Sequence, residues 1–116
     1  MAHPVVHWEV AGPDREALRT FYEDLFGWKS EPVDENYALL QPGEGPGGGV
    51  MRTRAGMPPY ITVYVQVEDL ERTLERVRML GGELRVPPAK IGDGMAFALF
   101  TDPAGNMVGL LTTADA

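Results

Sequence analysis

The sequence contains no cysteine, which excludes disulfide frameworks, thiolate zinc sites and cysteine nucleophiles. It also lacks an apolar run near the ~18 residues that a membrane-spanning helix needs, and its first residues lack the features of a signal peptide. We therefore expect a cytoplasmic protein with no membrane partner. Basic residues are scarce, with 10 Lys and Arg against 17 Asp and Glu, so the formal net charge is -7. This charge repels phosphate backbones, which argues against a nucleic-acid partner and favours cationic small molecules.

The overall composition is that of an ordinary globular domain. The chain has 116 residues, of which 44% are hydrophobic and 23% are charged. One compact unit accommodates this length, so residues 1–116 are predicted to form a single domain.

The first half of the chain predicts a strand followed by a helix. In the strand at residues 5–10, alternation places Val6, Trp8 and Val10 on one face and His7 and Glu9 on the other. A helix is predicted from Asp14 to Gly27, with an inward face of Ala17, Leu18, Phe21, Tyr22 and Leu25. The aromatic residues expected in the core are Trp8, Phe21, Tyr22 and Phe26.

The second half repeats this pattern. From Tyr60 onward a strand is predicted to place Ile61, Val63, Val65 and Val67 under a second helix, and Thr62, Tyr64 and Gln66 on the other face. The second helix is predicted to start near Asp69 and to end at Gly81-Gly82. A shift of 55 residues places Asp14 on Asp69, Gly27 on Gly82, His7 on Thr62 and Glu9 on Tyr64.

Shorter strand patterns complete each half, so the sequence predicts an α+β fold built from two βαβββ modules. The first module covers about 4–55 and the second about 60–113. The helices cover the apolar faces, and the two polar faces are expected to line a cleft.

Several short motifs occur in a characteristic order: His7-Trp8-Glu9-Val10, Phe21-Tyr22 with Leu25-Phe26-Gly27-Trp28, Val67-Glu68-Asp69-Leu70, and Asp102-Pro103 with Gly105-Asn106. With these motifs the chain resembles the vicinal oxygen chelate superfamily of glyoxalase, bleomycin resistance and extradiol dioxygenase-like proteins. The resemblance implies an open, cup-shaped, eight-stranded mixed sheet around a ligand cavity, with the helices outside.

The resemblance also implies a divalent metal held by residues of the first and last strands of the modules. His7 fits the first-strand histidine, but the matching position of the second module is Thr62. The family pattern would place a carboxylate at position 109, where this sequence has Gly109. About three protein ligands are needed for a catalytic zinc site, so the metal site is degenerate and no cofactor is expected. Metal binding by His7 with atypical ligands is the alternative.

Two functions are consistent with these residues. The first is a binding protein of the bleomycin resistance type that holds a neutral or cationic organic compound; its predicted ligand-binding residues are His7, Glu9, Thr62, Tyr64, Met51, Met107 and Gly109. The second is an enzyme, a lyase, isomerase or dioxygenase, that uses an unconventional metal set or metal-free acid–base chemistry; its candidate catalytic residues are His7, Glu9 and Tyr64. A homodimer is expected, because superfamily members of this length commonly pair and because exposed strand edges favour a partner.

Overall fold

The computed structural model describes residues 2–91 and 94–113, which form eight strands and two helices. The elements in chain order are β1 (Val5–Gly12), α1 (Arg15–Phe26), β2 (Lys29–Pro32), β3 (Tyr37–Gln41), β4 (Gly48–Arg52), β5 (Tyr60–Gln66), α2 (Leu70–Met79), β6 (Glu83–Ile91), β7 (Met95–Thr101) and β8 (Met107–Thr113). This order is βαβββ repeated twice. The predicted α+β class, with mixed strand pairing and two such modules, is confirmed.

The chain divides into two compact units. The N-terminal unit comprises Val6–Thr62, and the C-terminal unit comprises Val63–Ala116 together with Met1–Val5. In the N-terminal unit the strands lie in the order β2-β3-β4-β1, with β1 and β4 parallel and the other pairs antiparallel. In the C-terminal unit the order is β6-β7-β8-β5, and only β5 and β8 are parallel there among the described pairs. The two units therefore share one topology.

Both helices begin where the sequence predicts, and α1 also ends where predicted, whereas α2 ends at Met79, two residues before the predicted end at Gly81-Gly82. Asp14 and Asp69 are the N-caps, and their side chains accept hydrogen bonds from backbone N–H groups in the first turn, at 3.0 and 3.1 Å. Helix α1 ends at Gly27, whose φ of 72° lies in the left-handed region that glycine adopts without strain. Neither helix in the described part of the chain has the length and apolar character that crossing a bilayer requires.

The core of the N-terminal unit lies between α1 and one face of its sheet. Its buried residues are Val10, Leu40 and Val50, and the side chains packed against them are Trp8, Leu18, Tyr22 and Trp28. Trp8 and Val10 thus face the helix, as their alternation predicts.

The predictions for α1 are partly wrong. Phe21 and Leu25 of the predicted inward face are 57% and 56% exposed, Ala17 of that face is also exposed, and Phe26, predicted in the core, is 56% exposed. Leu18 and Tyr22 make the contact with the sheet, and the ring of Phe26 packs on that of Trp28, with ring centroids 4.9 Å apart. The last turn of α1 therefore packs on neighbouring rings, since the short strand β2 beside it offers almost no buried surface.

The core of the C-terminal unit lies under α2. Its buried residues are Val67, Leu70, Leu74, Ala98 and Leu110. Val65 and Val67 pack there as predicted, but Ile61 and Val63 are 72% and 41% exposed, which corrects the prediction for the start of β5. Helix α2 follows β5 after a short turn, so it covers the C-terminal end of that strand.

Candidate functional site

The candidate site lies on the face of the N-terminal sheet opposite to α1. Successive residues of a strand point to opposite faces. His7 and Glu9 therefore lie on the face opposite to Trp8 and Val10. Glu9 pairs with Gly49 of β4, and Tyr37 of β3 pairs with Met51 of β4. This register places His7, Glu9, Tyr37, Gly49 and Met51 on one face of the sheet.

Glu9 is a buried carboxylate with a close hydroxyl partner. Its exposure is 1%, and the hydroxyl of Tyr60 donates a hydrogen bond to its Oε2 atom at 2.6 Å. Burial, and then the charge and hydrogen bond of Glu9, raise the pKa of Tyr60, while the charge of Arg54 acts in the opposite direction. The phenol of Tyr60 therefore stays protonated at neutral pH and acts as the donor.

His7 and Tyr37 form a second pair on the same face, joined by a hydrogen bond between Nε2 and the phenol oxygen. Burial lowers the pKa of His7. Burial, and then the charge of Glu9, raise the pKa of Tyr37. Both partners are therefore neutral near pH 7.

Three contacts fix the position of Tyr37. Its backbone N–H donates to Oδ1 of Asp34 at 2.9 Å, and its carbonyl accepts a hydrogen bond from Nη1 of Arg15 at 2.9 Å. Its hydroxyl lies over Gly49, where a Cβ atom would stand 2.0 Å from the phenol oxygen. The phenol therefore reaches His7 because position 49 carries no side chain.

The C-terminal unit carries the corresponding positions in apolar form. Tyr64 pairs with Gly109, and a Cβ atom at position 109 would stand 2.4 Å from the Tyr64 ring. Tyr64 is 1% exposed, and its ring meets that of Phe97 edge-on, with centroids 6.3 Å apart. Glu9, Gly49 and Tyr37 thus correspond to Tyr64, Gly109 and Phe97 in the repeat. The ring of Tyr64 fills the space over Gly109.

The predicted site residues are divided between the units. His7, Glu9, Met51 and Thr62 belong to the N-terminal unit, where Thr62 is buried and Met51 is partly buried. Tyr64, Met107 and Gly109 belong to the C-terminal unit, where Met107 is partly buried.

Sequence reasoning missed Tyr37 and Tyr60. Tyr60 lies two residues before Thr62, so extending the strand alternation by one step would have found it. Tyr37 reaches the site only through the β3–β4–β1 register, for which the sequence carries no local signal.

The donor atoms on this face do not match a three-ligand metal site. Across residues 2–91 and 94–113, the structure forms no group of three or more His, Cys, Asp or Glu side chains able to hold a metal ion. Nε2 of His7 is engaged by Tyr37, and Gly109 supplies no side-chain ligand.

A separate groove of about 480 Å³ runs along α2 in the C-terminal unit. Its floor includes Val77, Leu80 and Phe100, and its walls carry both signs of charge, with Arg72 and Arg76 beside Asp69 and Asp102. It contains none of the predicted site residues. Asp102 already accepts hydrogen bonds from the backbone N–H groups of Ala104 and Asn106, and the Asn106 side chain contributes most to lowering its pKa.

Comparison with known proteins gives a consistent result. The family model described as the Glyoxalase/Bleomycin resistance protein/Dioxygenase superfamily matches residues 4–110. CFP32 of Mycobacterium tuberculosis, which bears a glyoxylase name, is 31% identical over 116 residues, covering 84% of this chain and 41% of that protein. The anthracycline biosynthesis protein DnrV of Streptomyces peucetius is 28% identical, covering 84% of this chain and 42% of that protein. The chain thus spans about two-fifths of the length of these two relatives.

Solved structures show the same fold. Methylmalonyl-CoA epimerase from Mycobacterium tuberculosis aligns with a TM-score of 0.63 at 20% identity, covering 95% of this chain and 87% of that one. A variant of the Streptomyces coelicolor methylmalonyl-CoA epimerase in complex with 2-nitronate-propionyl-CoA aligns with a TM-score of 0.67 at 18% identity, covering 95% and 96%. At these identities the likeness establishes the fold alone.

Proposed function

Since this chain belongs to the glyoxalase/bleomycin resistance protein/dioxygenase superfamily, we propose that it binds a small organic molecule, neutral or cationic, on the face that carries His7 and Glu9. The resemblance inferred from the sequence motifs is thereby confirmed at the level of the family.

The observation that carries the proposal is the buried Glu9 carboxylate with its phenol partner. Tyr60 donates to it, and the hydroxyl of Tyr37 lies over Gly49, the residue that pairs with Glu9. A carboxylate with phenols nearby suits an ammonium or a related cation, because the carboxylate supplies charge and a phenol ring whose face meets the cation adds about 0.5–2 kcal/mol.

The charge of the whole chain supports the same ligand class. At -7 it raises the local concentration of cations and lowers that of anions. Two related structures are complexes with CoA esters, which are anionic. We propose that the present chain prefers neutral or cationic compounds over CoA esters.

Each residue has a separate role in this proposal. Glu9 supplies the negative charge, and Tyr60 orients the carboxylate. Tyr37 contributes its ring and orients His7 through their hydrogen bond, while burial lowers the pKa of His7, so that the imidazole offers hydrogen bonds without charge. Tyr64, a candidate from the sequence, is buried against Gly109 in the C-terminal unit and has no role in this proposal.

The test is a thermal-shift screen with cationic aromatic compounds, neutral aromatic compounds and an acyl-CoA thioester, followed by calorimetric titration of the best compound. A ligand that binds only the native state raises the unfolding temperature according to its concentration and Kd. For a cationic compound, Glu9→Gln should weaken binding about tenfold or more, because hydrogen bonds to charged groups contribute about 1.5–3 kcal/mol. The loss should be larger at low salt than at high salt.

The matched control is Glu44→Gln, which removes one negative charge from an exposed position of the same unit. It should leave the affinity within about twofold, since exposed charges are screened. Equal affinity in Glu9→Gln, Tyr60→Phe and the control would contradict the proposal, as would tighter binding of the acyl-CoA thioester than of every cationic or neutral compound.

A metal-free proton-transfer enzyme is the second candidate, and the 2.6 Å contact between the Tyr60 hydroxyl and Glu9 favours it. A buried carboxylate next to a phenol is a feasible base and acid pair. If the chain catalyses such a reaction, the bound compound exchanges a carbon-bound proton with deuterated water or is converted. Under the catalytic hypothesis Glu9→Gln and Tyr60→Phe abolish this exchange even when the compound is bound, whereas under the binding hypothesis no variant and no wild-type protein shows exchange. Elemental analysis of the dialysed protein is run in parallel. One metal ion per chain that is lost in His7→Ala would contradict the metal-free mechanism and favour a metal-dependent enzyme.

A further inference from the structure

The groove along α2 in the C-terminal unit is a cavity that the proposed function does not use. Its volume of about 480 Å³ lies within the range of roughly 300–1,000 Å³ that is typical of small-molecule sites. Its floor is apolar and includes Val77, Leu80 and Phe100, and Pro103 also lines it. A small molecule that enters the groove can therefore bury an apolar body.

Two guanidinium groups line the same groove. Arg72 and Arg76 are four residues apart on α2, so their side chains are neighbours on one face of the helix. Within residues 2–91 and 94–113, neither guanidinium group forms an ion pair with a carboxylate. Both side chains are exposed, so their N–H donors are available to a ligand.

The stability of α2 does not account for this pair of cations. Like charges four residues apart disfavour a helix. Arg72 is the third residue of α2, where the positive end of the helix dipole also disfavours a cation. In the repeat, a shift of 55 residues matches Arg72 with Ala17 and Arg76 with Phe21. A helix at this place in a βαβββ unit therefore forms without the two cations.

The acidic side chains of the groove restrict the charge of its ligand. The carboxylate of Asp69 caps α2, and both carboxylate oxygens of Asp102 accept hydrogen bonds from Asn106. These two carboxylates are committed to local structure, and Glu68 adds a third acidic side chain to the lining. A ligand with several negative charges would be repelled by them. A ligand with one anionic group can meet the arginine pair and avoid most of this repulsion.

We propose that the groove binds a small organic anion with a single carboxylate or sulfonate group and an aromatic or other apolar body. The anionic group accepts hydrogen bonds from Arg72 and Arg76, because guanidinium donors match the geometry of such oxygens. The apolar body lies on Val77, Leu80 and Phe100. The net charge of -7 acts over longer distances and is largely screened beyond about 8 Å at physiological ionic strength, whereas the two arginines contact the anion directly. The groove contains none of the residues of the proposed function, so the two sites are tested separately.

The first experiment is a fluorescence titration of the full chain with two matched probes. Anilinonaphthalene sulfonate is an aromatic anion, and phenylnaphthylamine has the same rings without the sulfonate. Arg72→Gln/Arg76→Gln should weaken binding of the anion at least tenfold, because charge-assisted hydrogen bonds are lost. The same variant should leave the affinity for the neutral probe within about twofold, since the apolar floor is unchanged.

The matched control is Arg78→Gln/Arg85→Gln. It changes the net charge by the same amount at two exposed positions of the same unit that do not line the groove. It should keep the affinity for the anion within about twofold. Equal losses in the two double variants would show an effect of net charge alone and would overturn the proposal.

Two further variants locate the apolar body of the probe. Leu80→Gln, at a position that is 68% exposed and therefore tolerant of change, should weaken both probes at least threefold. Phe21→Gln changes an exposed ring of α1 in the other unit and should have no effect. Loss of binding in Phe21→Gln, with none in Leu80→Gln, would mean that the probes bind to α1 and would also overturn the proposal.

A measurement on the wild type covers the case in which the arginine variant does not fold. Phenylbutyrate and phenylbutylamine, an anion and a cation with the same ring and chain, are titrated into isotopically labelled protein and followed by amide NMR. Phenylbutyrate should shift the resonances of Thr73, Val77 and Gly82, which line the groove. Phenylbutylamine should shift them much less. Equal shifts with both compounds, or shifts only elsewhere in the chain, would contradict an anion site in this groove.

Discussion

At the scale of single residues, the cost of burying Glu9 sets the strongest constraint on the candidate site. A charged carboxylate taken out of water is stable only if hydrogen-bond donors replace its hydration. The hydroxyl of Tyr60 is one such donor, and the two side chains are 51 positions apart in the sequence. The contact therefore joins β1 to the first residue of β5.

We expect Tyr60→Phe to destabilise the protein by about 1–3 kcal/mol, because it leaves the buried Glu9 carboxylate without one of its hydrogen-bond donors. In a background of Glu9→Gln the same change should cost less, since a neutral amide is easier to bury. Urea unfolding of the four proteins in this double-mutant cycle measures the coupling. A coupling energy near zero would mean that the hydrogen bond contributes nothing to stability in solution.

At the scale of strands, the parallel pairs β1–β4 and β5–β8 each place a glycine opposite an aromatic residue. Trp8 pairs with Gly48, and Tyr64 pairs with Gly109. In both pairs a Cβ atom on the glycine would stand less than 3 Å from the ring, at 2.2 and 2.4 Å. The ring of one strand therefore lies flat over the backbone of the next, and the glycine is part of the packing.

Gly109→Ala should accordingly lower the free energy of unfolding by about 1–3 kcal/mol, the usual cost of overpacking a core. Tyr64→Ala removes the ring that the new methyl group would meet. In that background Gly109→Ala should cost much less, and urea unfolding of both single variants and the double variant measures the difference. Strict additivity of the two changes would show that the ring does not cover Gly109.

The sequence predicted the elements well because their signals are local. The N-caps Asp14 and Asp69 and the glycine after α1 act within a few residues and are confirmed, and the alternation in β1 holds for Trp8 and Val10 but not for the exposed Val6. The positions of Phe21, Leu25 and Phe26 could not be predicted in the same way. Helical periodicity defines an apolar stripe, but the sheet beneath it decides how much of that stripe is covered, and β2 covers little.

The candidate site was predictable in part for the same reason. His7 and Glu9 share a strand face by local alternation, whereas their partners Tyr37 and Tyr60 come from other strands. The position of Tyr37 depends on two successive strand registers and on a glycine at position 49. Such a non-local condition leaves no pattern in a single sequence.

At the scale of the whole molecule, stability should depend on pH through His7. Burial lowers the pKa of His7 below its ordinary value of 6.5, so the unfolded chain takes up a proton more readily than the folded chain. The contribution of the neutral imidazole is complete above pH 6.5 and is lost as the pH falls below that value. The loss amounts to no more than about 1.4 kcal/mol per pH unit.

Between pH 7.5 and pH 5.5 the free energy of unfolding should decrease less for His7→Asn than for the wild type. The control is His3→Asn, which changes the only other histidine, an exposed one, and should keep the dependence of the wild type. Urea unfolding at both pH values provides the measurement. An identical decrease in all three proteins would mean that His7 titrates alike in the folded and unfolded chains.

The ring that lies over Gly109 also restricts how this chain could change in evolution. A carboxylate at position 109, where the family pattern has a metal ligand, needs space that Tyr64 now fills. A carboxylate side chain introduced at position 109 would clash with the Tyr64 ring and lower the stability of the fold, whether or not a metal binds. The ring must shrink first, and that step alone leaves a cavity in the C-terminal unit. Gain of a carboxylate ligand at position 109 is therefore a path of ordered steps whose first step is deleterious.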